Sequence, residues 1–409
     1  MEKLKPLSDS FWLVDSVNRH LQSTPQLPTA SEVVVIGGGI SGVSVAYWLS
    51  GLGVEVVLLE RQGLAEGATG RNGGHLAPGT NKDFADAIAT HGLEETLAIW
   101  HLTQNVVELV HQFIEQHQVD CDLHFNSLAS LALTPLEVEQ QRRSFELMQE
   151  AGLDVQFWDK EEAIGHTGSS RFLGGLLYKE HAQVWAAKLV GAIARVAMQN
   201  GANIQTGTSV GAVEQSQSGL IVRTPRGEIR AKFVVHATNA YVRHLRPVLK
   251  DLIIPVRGQV MVTEPVPPLW NFDWITNHGY EYCLQRPDGR IVLGGMRWRS
   301  PTHEWNIEDD RQIEPAVSEG LRTFLPDHFE ALRNVQIGQE WTGIMGFSPD
   351  DNPLVGELPG YPGEYIIAGY SGHGMPIAFG AGRAIAQLIT GQQPQLPLAF
   401  SSARLEQLK

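Results

Sequence analysis

The sequence predicts an α/β fold in which an open, largely parallel sheet built from discontinuous segments is joined to a separate antiparallel sheet. Three observations predict it. Residues 33–61 run from an apolar stretch through a glycine turn and a helical stretch to a second apolar stretch ending in Glu60, the change of period that marks strand, helix and strand. Two later apolar runs, Phe233–Ala237 and Tyr365–Gly369, each stop at a polar or glycine turn before a helical pattern, as strands of an open sheet do. Between them, Pro255–Thr263, Tyr280–Gln285 and Arg290–Gly295 are β-branched and aromatic runs with Asp288-Gly289 as a hairpin signal, which predicts the antiparallel sheet. The expected division is an arm over 1–30, a first part over 31–90, 180–243 and 337–393, a second part over 91–179 and 244–336, and a tail over 394–409.

Composition narrows the function. With 409 residues, 43% of them hydrophobic, the chain can bury large cores in about two domains. Its 45 acidic residues against 31 basic ones give a formal charge of −14, which argues against a nucleic-acid surface and mildly favours neutral or cationic small ligands. Cys121 and Cys283 are too few for a disulfide framework, so a reducing, cytoplasmic compartment is expected. No apolar run has the length of a membrane span. Residues 1–30 show no basic head followed by an apolar core, so no secretory signal is expected; Phe11, Trp12, Leu13 and Val14 read as the anchor of a surface arm.

The opening unit carries the clearest chemistry. Gly37, Gly39 and Gly42 have the G-x-G-x-x-G spacing, in which the first glycine permits the turn, the second admits a pyrophosphate and the third lets helix pack on strand. The helix begins near Ser41 and ends at Gly53, and its positive end favours the diphosphate. Glu60 closes the second strand, where a carboxylate can accept both ribose hydroxyls of an adenine dinucleotide. The unit is therefore Rossmann-like.

Glu66 to His75 is a glycine-dense loop whose backbone N–H groups can wrap a phosphate or a flavin edge, with Arg71 able to reach an anion. From Phe84 to His117 the pattern is one long helix with an apolar stripe through Ile99, Val106, Val110 and Phe113. His117, Cys121 and His124 have metal-like spacing but no completing ligand pair, so no metal is expected. Leu128–Thr134 reads as a strand, Pro135 to about Ala151 as a helix, 171–185 as strand and turn, and Ala186–Gln199 as a helix ended by Asn200-Gly201. The runs from Asn203 to His236 form a meander returning to a parallel strand that stops at Thr238-Asn239, a place where ligands dock. Tyr280, Tyr282, Arg297 and Trp298 are candidates for a substrate wall. Last, Tyr370-Ser-Gly372-His373-Gly374-Met375-Pro376 opens a helix whose N–H groups point at something anionic, which suits the pyrimidine edge of a reduced flavin.

Together, the dinucleotide unit, the Gly67-Ala68-Thr69-Gly70-Arg71-Asn72-Gly73-Gly74 loop, the Ala237-Thr238-Asn239 strand end and the Gly369–Gly374 helix start resemble the D-amino acid oxidase family of FAD-dependent oxidoreductases. The resemblance runs from about residue 30 to 392; the loop and the helix start look most like its gamma-glutamylputrescine oxidase branch. It implies FAD contacts at Gly37, Gly39, Ile40, Ser41, Gly42, Glu60, Arg61, the loop from Ala68 to Gly74, Val210, Ala237, Thr238, Gly372, His373, Gly374 and Met375. It also implies hydride transfer from the carbon of an amine or N-substituted amino acid to flavin N5, hydrolysis of the imine, and oxygen as the expected acceptor. A quinone or carrier acceptor and a non-enzymatic FAD-binding role remain open. Arg71, His75 and His373 are the candidate catalytic residues, with water an alternative for removing the amine proton. The chain departs from the family pattern at Met345, where glycine and D-amino acid oxidases place an arginine for the substrate carboxylate. The flavin-attaching cysteine near Gly343 and the lysine near Pro376 of sarcosine-oxidase-like members are missing as well, which implies noncovalent FAD.

Overall fold

The computed structural model describes residues 10–14, 23–79, 82–217, 219–406 and 408. The first sheet has the order Leu354–Glu357, Glu364–Ala368, Gly227–His236, Ala30–Ile36, Val56–Leu59, Asn203–Gln205. Four of the five pairings along this order are parallel, and Leu354–Glu357 pairs antiparallel at one edge; Ala212–Ser216 and Gly219–Thr224 form the antiparallel meander at its flank. Val33, Val34 and Val35 are fully buried because a parallel strand is covered on both faces.

Helices Ile40–Gly51, Ala186–Gln199 and Met375–Ile389 pack together beside this sheet. The closest crossing is at Gly382, where a Cβ would lie 2.6 Å from Ser44 Cβ. Glycine there lets the first and last helices of the site touch backbone to backbone. Trp48 Nε1 donates to the Phe379 carbonyl at 3.1 Å across the same contact.

The second sheet has the order Ile337–Phe347, Ile254–Thr263, Ile291–Gly294, Glu281–Gln285, Phe272–Thr276, His124–Ala132, Gly174–Gln183, His75–Leu76. It is antiparallel except for one pair, Phe272–Thr276 beside His124–Ala132. Two stretches inside the segments expected to form the first part, His75–Leu76 and Ile337–Phe347, pair into this sheet. Helix Pro315–His328 covers it, with Phe324 stacked on Trp274 at 5.7 Å.

The structure corrects three expectations. The long helix is two, Phe84–His91 and Leu93–His117, separated by Gly92 at φ +81°, a left-handed turn inside an otherwise continuous apolar period. Val14 is 57% exposed, so the arm is anchored by Trp12 and Leu13, which are buried. Trp298 is also exposed and donates to Glu281 at 2.8 Å outside the cavity described below. The strand Val155–Trp158 and the helix Lys160–Thr167, opened by an Asp159–Glu162 capping box, lie in a stretch where no element was expected.

At the head of the Glu364–Ala368 strand, buried Glu364 accepts hydrogen bonds from His236 Nε2 at 2.6 Å and Arg246 Nε at 2.7 Å. Burial raises the Glu364 pKa, but the bonds from His236 and Arg246 outweigh it and hold it below the usual range. Removing the carboxylate strands a buried guanidinium, so Glu364→Ala is expected to cost about 3–5 kcal/mol. Urea unfolding of the two proteins checks this; a loss under about 1 kcal/mol, the size of an exposed pair, would contradict it.

Candidate functional site

One cavity of about 780 Å³ is lined by both sheets. At its nucleotide end the glycine spacing has a direct steric reason. A Cβ on Gly42 would lie 1.8 Å from the Gly37 carbonyl oxygen, and one on Gly37, at φ +114°, would lie 2.6 Å from the Ala237 carbonyl oxygen. The turn, the helix and the neighbouring strand end therefore touch with no space for a side chain. Beside them, Glu60 accepts from the N–H groups of Gly38 at 2.7 Å and Gln62 at 2.8 Å, one to each oxygen. Each oxygen keeps a lone pair for a further donor. Burial raises the Glu60 pKa, so the carboxylate gains from any hydroxyl that reaches it.

Two further groups fit an adenine dinucleotide here. Thr238 Oγ1 is buried beside the strand end without a hydrogen-bond partner among the described residues. Arg61 lies over the Tyr241 ring at 4.2 Å, and Val210 continues that wall. The first turn of helix Ile40–Gly51 supplies N–H groups with no intrahelical acceptor; that of Ile40 meets Thr69 Oγ1 at 3.1 Å. Ser41 Oγ lies 2.7 Å from Tyr370 Oη, pinning the first helix start to the approach to the second.

The glycine-dense loop is held from three sides. Asn72 closes its turn, donating from Nδ2 to the Thr69 carbonyl and accepting from the Gly74 N–H, both at 2.8 Å. Trp12 Nε1 donates to the Asn72 carbonyl at 2.7 Å, Leu13 fills the space beside Gly70, and Trp185 Nε1 donates back to the Trp12 carbonyl at 2.6 Å. Arg71 is 2% exposed; its Nε donates to the Glu66 carbonyl and its Nη1 to the Thr342 carbonyl, both at 2.9 Å, with Asp310 Oδ2 at 3.6 Å from Nε. These contacts make Arg71 a tie between the loop and the second sheet, and it also lines the cavity.

Past the loop the wall includes two imidazoles. His75 is pushed down to about 4 by burial, opposed by the Asp273 charge and assisted by His181 and His373. His373 is pushed down to about 4 by burial, against the carbonyls of Ala77 and Gly79. Both are neutral near pH 7. Behind His75, its Nδ1 lies 3.3 Å from His181 Nε2, which lies 2.9 Å from Asp273 Oδ2, while Gln183 donates to Asp273 Oδ1 at 2.7 Å. These hydrogen bonds account for the one group of His, Cys, Asp or Glu residues among the described residues whose donor atoms converge as metal ligands do. His117, Cys121 and His124 do not converge in that way.

Of the expected cofactor contacts, Gly37, Gly39, Ile40, Ser41, Glu60, Arg61, Ala68, Thr69, Arg71, Asn72, Gly73, Val210, Ala237, Thr238, Gly372, His373, Gly374 and Met375 line the cavity. Gly42, Gly70 and Gly74 stand one layer behind. Tyr280, Tyr282 and Arg297 form the opposite wall with Met345 and Phe347. His181, Asp273 and Tyr241 were not anticipated; the first two sit on strands paired through distant segments, and only the position of Tyr241 just past the Asn239 strand end marked it.

The whole cavity fits FAD: a carboxylate and an orphaned hydroxyl at the nucleotide end, a glycine cradle in the middle and a helix start at the far end. Comparison with known proteins agrees. The chain is 27% identical to the probable oxidoreductase OrdL of Rhizobium meliloti (strain 1021) over 93% of its own length and 86% of that protein. It is 27% identical to the gamma-glutamylputrescine oxidoreductase of Escherichia coli (strain K12), over 88% and 84% of the two chains. Among solved structures, glycine oxidase from Geobacillus kaustophilus superposes with a TM-score of 0.81 at 21% identity, covering 92% of this chain and 99% of that one, which shows the shared fold. Residues 32–388 match the family described as FAD dependent oxidoreductase, and the chain belongs to that family.

Proposed function

We propose that the protein oxidises a carbon–nitrogen bond of an amine or N-substituted amino acid, with molecular oxygen as the acceptor. The observation that carries this reading is the continuity of the cavity: the nucleotide cradle of the first sheet opens without interruption onto the aromatic wall of the second, at Tyr280, Tyr282 and Phe347. Bound FAD supplies the two-electron acceptor for such a bond. The residues of the chain do the rest: Tyr280, Tyr282 and Phe347 exclude water, and the neutral His75 and His373 leave an amine lone pair uncompeted by cationic imidazole. The names of the relatives, gamma-glutamylputrescine oxidoreductase and glycine oxidase, support an amino compound as substrate.

The same reading takes FAD as noncovalent, in keeping with a cavity that neither Cys121 nor Cys283 lines. It places the protein in the cytoplasm, in keeping with two unpaired buried thiols; no helix among the described residues is long and apolar enough to cross a membrane. It assigns cofactor binding to 31–90, 180–243 and 337–393 and substrate to 91–179 and 244–336. Anaerobic titration with polyamines, gamma-glutamylputrescine and free or N-methylated amino acids tests it. Bleaching of the flavin band by one class and fast recolouring in air with peroxide is the expected result. Slow recolouring would replace oxygen by another acceptor, and a flavin that no amine bleaches would overturn the reading.

A further inference from the structure

Arg297 enters the cavity from the second sheet. It follows the strand Ile291–Gly294, entering a short 3-10 turn after Met296 at φ +59°. Its guanidinium lies over two aromatic rings, 4.6 Å from the Tyr280 centroid and 5.0 Å from that of Phe347. Its Nη1 is buried and has no acceptor among the described residues. Elsewhere in the cavity the cations are engaged: Arg71 with two carbonyls and Asp310, Arg61 with Tyr241, and Lys82 with Asp351 at 3.7 Å. Asp351 also acts on Arg297 electrostatically, as do the hydroxyls of Tyr280 and Tyr282, but its carboxylate is paired to Lys82.

A buried N–H without an acceptor has given up its hydrogen bond to water and gained none in return, and more is at stake on a cation. Aromatic rings stabilise the charge and fix the plane of the guanidinium, yet they leave its in-plane donors unmet. The complement of a fixed guanidinium fork is a planar anion with two oxygens. Burial already presses the Arg297 pKa down, a pressure that a bound anion relieves.

We propose that Arg297 is the anchor for a carboxylate carried by the substrate, so that the preferred substrate is an amine bearing a carboxylate and not a plain mono- or polyamine. This rests on the amine-oxidation reading above. It revises the expectation drawn from Met345: the cavity has a place for a carboxylate, supplied by a turn after a different strand of the second sheet. Met345 itself lies in the same wall, its methyl 3.1 Å from where a Cβ on Gly258 would be.

The test pairs each amino acid with its carboxamide, which keeps the shape and removes the charge. Wild type is expected to favour the carboxylate by about 10- to 100-fold in kcat/KM, a range set by one charge-assisted bidentate contact. In Arg297→Gln the carboxylate loses far more than the carboxamide, through KM, so that this preference collapses; Arg297→Lys restores part of it. Equal use of both partners by wild type, or an equal loss on both in Arg297→Gln, overturns the proposal. Titration with a non-reacting carboxylate, benzoate, reads the anchor without turnover, through perturbation of the flavin absorption band. Binding by wild type and at least tenfold weaker binding by Arg297→Gln supports the anchor even if no amine bleaches the flavin; identical binding by the two removes it.

Discussion

Gly42→Ala will be purified without its flavin. The methyl group would sit 1.8 Å from the Gly37 carbonyl oxygen, well inside van der Waals contact, and the obstruction is backbone that no rotamer change can move. The start of helix Ile40–Gly51 must therefore tilt off the strand, taking its N–H groups away from the pyrophosphate position. Overpacking of this kind costs about 1–3 kcal/mol in stability. The loss in FAD affinity is larger, at least about 100-fold, because the same shift disturbs Gly38 and hence its hydrogen bond to Glu60. Visible absorbance per mole of protein, followed by titration of the apoprotein with FAD, measures it. Gly53→Ala is the control: Gly53 has a positive φ, +78°, but nothing lies within 4 Å of its Cβ, so the variant incurs only backbone strain of about 1 kcal/mol and keeps its flavin. Flavin content equal in the two variants would count against the cradle.

Acid is expected to dismantle the apoprotein over a defined window. His75 and His373 both have folded pKa values of about 4, below the value of about 6.5 for an unfolded histidine. Between those values the unfolded chain binds more protons than the folded one, so stability is complete above about pH 6.5 and falls as the pH drops toward 4. Each histidine contributes about 1.4 kcal/mol per pH unit, or about 3 kcal/mol in all. The two together approach the whole stability of an ordinary domain. The charges facing His75 are Asp273, which favours its protonation, and His181 and His373, which oppose it; His373 meets the carbonyls of Ala77 and Gly79. Urea unfolding at pH 7 and pH 5 should show the fall, and His373→Gln, which keeps an amide donor for those carbonyls, should remove about half of it. A stability that is flat over this range would refute the assignment.

What could be read in advance was whatever a short stretch decides by itself. The glycine spacing at Gly37, Gly39 and Gly42, Pro135 at the start of its helix and the proline at the start of helix Met375–Ile389 are local constraints, and they appear where expected. The break at Gly92 escaped because the apolar stripe continues in phase across it. The parallel pairing of Phe272–Thr276 with His124–Ala132 joins strands far apart in the chain, and nothing in either sequence names the other. The tie that Arg71 makes to the second sheet was not legible because its partners, the Thr342 carbonyl and Asp310, arrive from the far end of the chain. For Arg297 the informative fact is a missing partner, which only the assembled cavity reveals.

The clamp formed by Trp12 and Leu13 bears on where the chain can be cut. The family match begins at residue 32, and a designer trimming the protein to that boundary would discard both side chains. What remains would expose the faces of Gly70 and Gly74 and leave the Asn72 carbonyl and Trp185 Nε1 without their partners. A minimal version that still closes its glycine loop has to include Ser10, whose hydroxyl accepts from the Trp12 N–H at 3.2 Å.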